Sequence, residues 1–218
     1  MVEIMKIGGP GALRRNAGTT SYLALLLVTH VVVFRALSPE SERRVLAAVS
    51  TNLADMNWSA PPRLVGSALV VDFSGSFLDT ALIVGLGIAV CLGLLERRLG
   101  TARAFGVFAT AHVLVTLVVL AVVAAAVHTG RYPEAVTHEL DYGVSFGALG
   151  AIGAVTWFLP AWLRLPWAAV AVLYPLTAAD WYGWLPDYSS VGHVLSAATG
   201  VIMSALLVRP RTAPAPQG

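Results

Sequence analysis

Two residues of this chain, Ser145 and His193, have the types and the settings for nucleophilic chemistry. A serine hydroxyl attacks a carbonyl only when a neighbouring base takes its proton, and neutral imidazole does so near neutral pH. Ser145 follows Asp141-Tyr142-Gly143-Val144, and His193 follows Asp187-Tyr188-Ser189-Ser190-Val191-Gly192. Each stretch is the polar entrance to a long apolar run. In helical geometry, at ~1.5 Å per residue, Ser145 lies about 6 Å and His193 about 9 Å below its aspartate. A serine–histidine dyad needs such a match in depth. Each residue alone has a plainer use. Serine is common where membrane helices touch, and a single histidine can hydrogen-bond between helices. An ionisable side chain inside a membrane is costly, however, and that raises His193 above the plain use.

The elements that must position this pair are membrane helices. The 218 residues are 57% hydrophobic and 12% charged, with a mean hydropathy of +0.75. Soluble domains carry about 25% charged residues. The apolar residues come in blocks of roughly 20, enough to cross a bilayer as helices that satisfy their own backbone hydrogen bonds. The blocks predict an all-α membrane protein with six transmembrane helices, over 19–37, 76–95, 105–127, 142–159, 165–181 and 189–208. A tail over 1–18 precedes this membrane domain, 19–208, and a Pro-rich tail over 209–218 follows it. The first apolar block, Tyr22 to Leu37, exceeds the ~7–15-residue core of a signal peptide and reads as a retained helix.

The connection 38–72 is not apolar enough to span. Ser38-Pro39-Glu40-Ser41-Glu42 has the capping serine, early proline and early acids of a helix start. Arg43, Arg44, Asn52 and Asp55 alternate with Leu46, Val49 and Leu53, which predicts an amphipathic surface helix broken by Pro61-Pro62. Pro175 is expected to kink the fifth span.

Lysine and arginine in the short loops set the orientation. Lys6, Arg14 and Arg15 precede the first span, and Arg97, Arg98 and Arg103 separate the second from the third. Arg164 follows the fourth span, and Arg209 and Arg211 follow the sixth. The loop with Asp180 and Asp187 has no basic residue. Both termini are therefore expected in the cytoplasm, with the chain in the cell membrane and Ser145 and His193 near its outer face. A net charge of +2 gives no argument for nucleic acid. The single cysteine, Cys91, lies in an apolar run and suggests neither a disulfide nor thiol chemistry.

Small residues surround both members of the pair. Gly143, Gly147, Ala151 and Ala154 run along the fourth span, while Ser196 and Gly200 share the His193 face of the sixth. Small residues at this spacing let helix backbones approach closely, which is common packing and would also bring serine to histidine. His30 and His112 read as packing histidines. Asp141 and Asp187 read as helix N-caps. Trp157, Trp162, Trp167, Trp181 and Trp184 fall at span ends, where interfacial belts form.

At this point the chain resembles the rhomboid family of intramembrane serine proteases. Gly143-Val144-Ser145 is similar to the start of the family's Gly-x-Ser-Gly motif, and Gly153 falls where the family has a further glycine. The stretch His193 to Gly200 resembles the family's His-x-x-small-x-x-x-Gly pattern. Glu96-Arg97-Arg98-Leu99-Gly100 is similar to its Glu-x-Arg-x-Gly segment, which makes Glu96, Arg98 and Gly100 structural candidates. The chain departs from the pattern at four positions. Phe146 stands where the family has glycine after the serine. Thr80 and Val84 stand where it has the histidine and asparagine of the oxyanion hole, and Leu149 where it has a tyrosine.

The resemblance implies a rhomboid-like bundle in which Ser145 is nucleophile and His193 is base. Thr80, Gly143 and Phe146 would line the oxyanion side of the cavity. It implies transmembrane protein substrates within a lipid bilayer, without a metal or other cofactor. The lost donors leave open an inactive pseudoprotease that binds membrane clients. A more distant alternative is a small transporter or structural protein, in which the two side chains point apart.

Overall fold

The structure, a computed structural model, describes residues 16–56, 60–73 and 76–208. Most of both expected tails lies outside the described residues, as do Lys6, Arg14, Arg15, Arg209 and Arg211.

The first helix, α1, runs over Ala17–Ala36 and widens in its last turn, Val32–Ala36, before Ser38-Pro39. Its start has no cap of its own. Two of its orphan N–H groups, on Gly18 and Thr19, instead donate to the Glu96 carboxylate at 2.9 and 2.8 Å.

In the connection, α2 (Pro39–Val49) begins as its sequence predicts, with the Ser38 hydroxyl accepting from the Ser41 N–H. Leu46, with Val45 and Val49 beside it, packs against Val33 and Val70. This helix stops earlier than the alternation to Asp55 suggests. Arg63 donates to the carbonyls of Ala47 and Ser50, 2.7 and 2.9 Å away, and takes up acceptors the helix end leaves open. Pro61-Pro62 does not break a helix either. The two prolines open a second one, α3 (Ala60–Ser67), because a first turn does not use their missing N–H groups.

The helix α4 (Phe77–Leu99) starts at a Ser76 cap and has wide π-type turns over Ala81–Leu92. It ends at Gly100, whose φ of 83° and N–H to the Glu96 carbonyl close the last turn. The 28-residue α5 (Thr101–His128) follows. Then come α6 (Ser145–Phe158), α7 (Ala161–Leu173) and a tightened turn, Tyr174–Ala178. Pro175 sits in that turn, so it ends the helix and does not kink its middle. A two-residue hairpin, β1 (Trp181–Tyr182) and β2 (Leu185–Pro186), was not foreseen. The last helix is α8 (Tyr188–Val208).

Four of these helices, α1, α4, α5 and α8, are long and apolar enough to cross a membrane. The other two expected spans, α6 and α7, are shorter. At ~1.5 Å per residue α6 covers about 21 Å, less than the ~30 Å of a hydrocarbon core. It lies at the centre of the bundle, and every residue from Phe146 to Val155 is buried.

Glycines set how close its neighbours come. A Cβ on Gly153 would strike the Ala197 carbonyl of α8, and one on Gly200 the Gly150 carbonyl of α6. Gly147 serves another neighbour, since a Cβ there would enter the Phe108 ring of α5. Trp157 and Trp167 also tie helices together. Their indole N–H groups donate to the Val201 and Ile152 carbonyls at 2.9 and 2.8 Å. Trp162, Trp181 and Trp184 remain exposed.

Candidate functional site

Ser145 is the first residue of α6, because the helix expected from residue 142 starts three residues late. Gly143 adopts φ 130°, a conformation that side chains disfavour. Val144 follows near φ −88°, ψ 0°, so the chain turns into the helix only at Ser145. The first connection holds this approach in place. The Gly143 N–H donates to the Ser67 carbonyl at 3.0 Å and the Thr51 N–H to the Asp141 carbonyl at 2.7 Å. The Asp141 N–H donates to the Ser50 hydroxyl at 2.9 Å, and the Thr51 hydroxyl donates to the Asp141 carboxylate at 2.8 Å.

Asp141 is therefore an anchor of the serine loop and not the N-cap of α6, which has no side-chain cap. Burial pushes its carboxyl above the ordinary aspartate range, and the Thr51 hydrogen bond opposes that shift. Asp187 does cap α8, accepting from the Ser190 N–H at 2.9 Å.

His193 lies in the second turn of α8. Ser145 and His193 line one cavity of about 530 Å³, whose walls come from α4, α6, α7 and α8. Its polar end carries Asp79, Asp180, Asp187, Ser189 and Ser190, and its apolar end Leu86, Ile152, Trp167 and Ala171. The two side chains make no hydrogen bond to each other, and the buried Nε2 of His193 has no partner among the described residues. The imidazole instead meets the Phe146 ring edge-on, with 5.5 Å between centroids.

Ser145 also borders a second cavity, of about 340 Å³, lined by Thr80, Val84, Tyr142 and Gly143. Of the three residues expected on the oxyanion side, Thr80 and Gly143 are there. Phe146 instead lines a small void that it shares with Gly143 and Ser145. Its ring packs with Val115 and Val119 of α5, in the space that Gly192 leaves open, and borders neither large cavity. The backbone after Val144 supplies donors, since α6 begins here and the N–H groups of its first turn have no carbonyl a turn earlier.

The remaining motif residues sit at the far end of α4. Besides its two backbone bonds, Glu96 accepts from the Thr19 and Thr101 hydroxyls, each at 2.7 Å. One carboxylate thus joins the starts of α1 and α5. Arg98 is exposed.

A second serine–histidine contact was not visible in the sequence. The Ser67 hydroxyl lies 3.0 Å from His112 Nε2, and the same nitrogen lies 3.0 Å from the Leu64 carbonyl. A carbonyl only accepts, so Nε2 carries the proton in that bond and is no base for Ser67. The pair holds α3 to α5 beneath the serine loop. His30 packs between Phe34 and Phe73, at 5.3 and 4.7 Å between centroids.

A sequence model of one protein family, described as rhomboid-like protein, matches residues 11–213. No curated protein and no solved structure matches the chain.

Proposed function

The chain belongs to the rhomboid-like protein family, and from that premise and the shared cavity we propose that it is an intramembrane serine protease. In this reading Ser145 attacks the scissile carbonyl. His193 takes the hydroxyl proton and then passes it to the leaving amine. Water next opens the acyl-enzyme, with His193 again as base. The tetrahedral oxyanion forms beside the first N–H groups of α6, where the helix dipole also favours negative charge. In this reading α1, α4, α5 and α8 cross a cell membrane around the shorter α6 and α7, both termini are in the cytoplasm, and α2 lies along the outer surface. Transmembrane protein segments are the substrates, and the lipid bilayer is the surrounding partner.

The observation that carries this reading is that Ser145 and His193, on different helices, open onto one cavity with a polar end and an apolar end. Catalytic hydrogen bonds are often long before substrate binds, so the open pair is compatible with a dyad.

A second reading is favoured by a specific observation. Val84, which lines the smaller cavity beside Ser145, cannot donate a hydrogen bond. This supports a pseudoprotease that holds membrane clients without cutting them. Labelling of the purified protein by a fluorophosphonate separates the two. The protease reading expects labelling that is lost in Ser145→Ala and in His193→Ala. Absence of labelling in folded protein favours the pseudoprotease.

A further inference from the structure

Ser145 lines two large cavities, and His193 lines one of them. The larger, of about 530 Å³, holds the imidazole in its wall. The smaller, of about 340 Å³, lies between the first connection, α4 and the serine loop, and His193 does not border it. Its walls are mostly apolar, with Val71, Ile83, Val84 and Leu140, and Asp72 and Asp79 also line it.

This division gives a substrate a direction. In the protease reading the tetrahedral carbon bears the Ser145 oxygen, the oxyanion, the acyl chain and the leaving nitrogen. When the C–N bond breaks, His193 gives its proton to that nitrogen. The amine half must therefore lie against the imidazole, in the larger cavity. The acyl half stays bonded to Ser145 Oγ, and the space that Ser145 borders without His193 is the smaller cavity. The residue that supplies the attacked carbonyl has its side chain there.

Size and wall chemistry then decide which side chain fits. About 340 Å³ falls within the roughly 300–1,000 Å³ of pockets that enclose small ligands, far more than a methyl group fills. Alanine would leave the apolar wall in contact with water, whereas leucine or phenylalanine covers it. Position 84 matters most for this. Valine gives the oxyanion no donor, but it gives a substrate side chain an apolar surface with no polar group left unpaired.

We propose that the smaller cavity selects the residue on the acyl side of the cut, and that Val84 makes it prefer leucine or phenylalanine over alanine. This rests on the protease reading, because the direction of the substrate comes from His193 as acid.

The test uses the full chain in detergent, labelled first with a fluorophosphonate. Four aminoalkyl diphenyl phosphonates follow, bearing the side chain of Ala, Leu, Phe or Lys. Each presents an acyl-side residue, since Ser145 Oγ bonds to phosphorus and phenol leaves with the proton. Inactivation is read as the loss of fluorophosphonate labelling over time. The Leu and Phe reagents are expected to react at least about tenfold faster than the Ala reagent, the scale of methylene discrimination in an apolar pocket. The Lys reagent should be slower than the Leu reagent. Val84→Phe, which fills the pocket, should bring the Leu-to-Ala ratio to about one. Val84→Thr, which keeps the shape and adds a hydroxyl, should lower that ratio without filling the pocket. Equal rates for Ala and Leu, a fastest Lys reagent, or a ratio unchanged in both variants would overturn the proposal. Those outcomes leave the protease reading standing, because Ser145 still labels. A folded protein that no fluorophosphonate labels loses the protease reading and this proposal with it.

Discussion

The ring of Phe146 meets the imidazole of His193 edge-on, at 79° between planes and 5.5 Å between centroids. These two residues come from different helices, α6 and α8, and the contact is possible because Gly192 has no side chain to fill the space. A bulky residue beside the serine therefore supports the histidine from behind and leaves the cavity open. The absence of a tyrosine at position 149 matters less for the same reason, since an aromatic neighbour reaches His193 from Phe146.

Phe146→Ala should remove that support and leave a void against Val115 and Val119. Thermal unfolding in detergent should show a loss of about 3–5 kcal/mol, the range for truncating a buried phenylalanine. Fluorophosphonate labelling should fall, and Phe146→Tyr should keep more of it than Phe146→Ala.

Val84→Asn should place an amide donor in the cavity beside Gly143 and Ser145. One oxyanion donor is typically worth ~10²–10³ in rate. With an imperfectly placed side chain, a gain of about tenfold in labelling rate is expected. An unchanged rate would mean that the oxyanion does not form on the α4 side of the serine.

Gly200→Val should be among the most damaging single changes. Its side chain would meet the Gly150 carbonyl and the Ala154 N–H and push α8 off α6. Loss of folded protein, read by size-exclusion chromatography and melting, is the expected outcome. Gly85→Ala and Gly106→Ala, where nothing lies within 4 Å of an added Cβ, should be neutral or stabilising by about 0.4–1 kcal/mol.

Asp141→Asn should stabilise the protein at neutral pH. Burial raises the folded-state pKa of this carboxyl, so folding favours its protonated form. That contribution is full below the ordinary aspartate value and is lost as pH rises through the raised one. Asparagine stays neutral and can still accept from Thr51. Melting curves should therefore agree near pH 3 and separate, with the variant higher, as pH rises past about 4.

Much of the fold follows from local features of the sequence. Apolar blocks locate α1, α4, α5 and α8 because a long run has no other way to satisfy its backbone in a membrane. Ser38, Ser76 and Asp187 start helices through their own side chains, and Gly100 ends one through its own backbone, so each is legible by itself. The family is also legible, from the spacing around Ser145, His193 and Glu96.

Other features depend on contacts between distant segments, and local pattern is silent about these. Arg63 decides where α2 stops, and Ser67 and Thr51 decide that the helix after Asp141 waits until Ser145. The hairpin Trp181–Tyr182 with Leu185–Pro186 is too short for an alternating pattern to mark. The sequence by itself determined that this is a membrane protein of the rhomboid-like family with a serine and a histidine near the starts of two apolar runs. Only the tertiary structure decided that the two line one cavity with an acidic end, and that Phe146 turns away from it. The physical reason is that depth along a helix is set by its own rise per residue. Rotation about the helix axis is set by which neighbours its small residues admit.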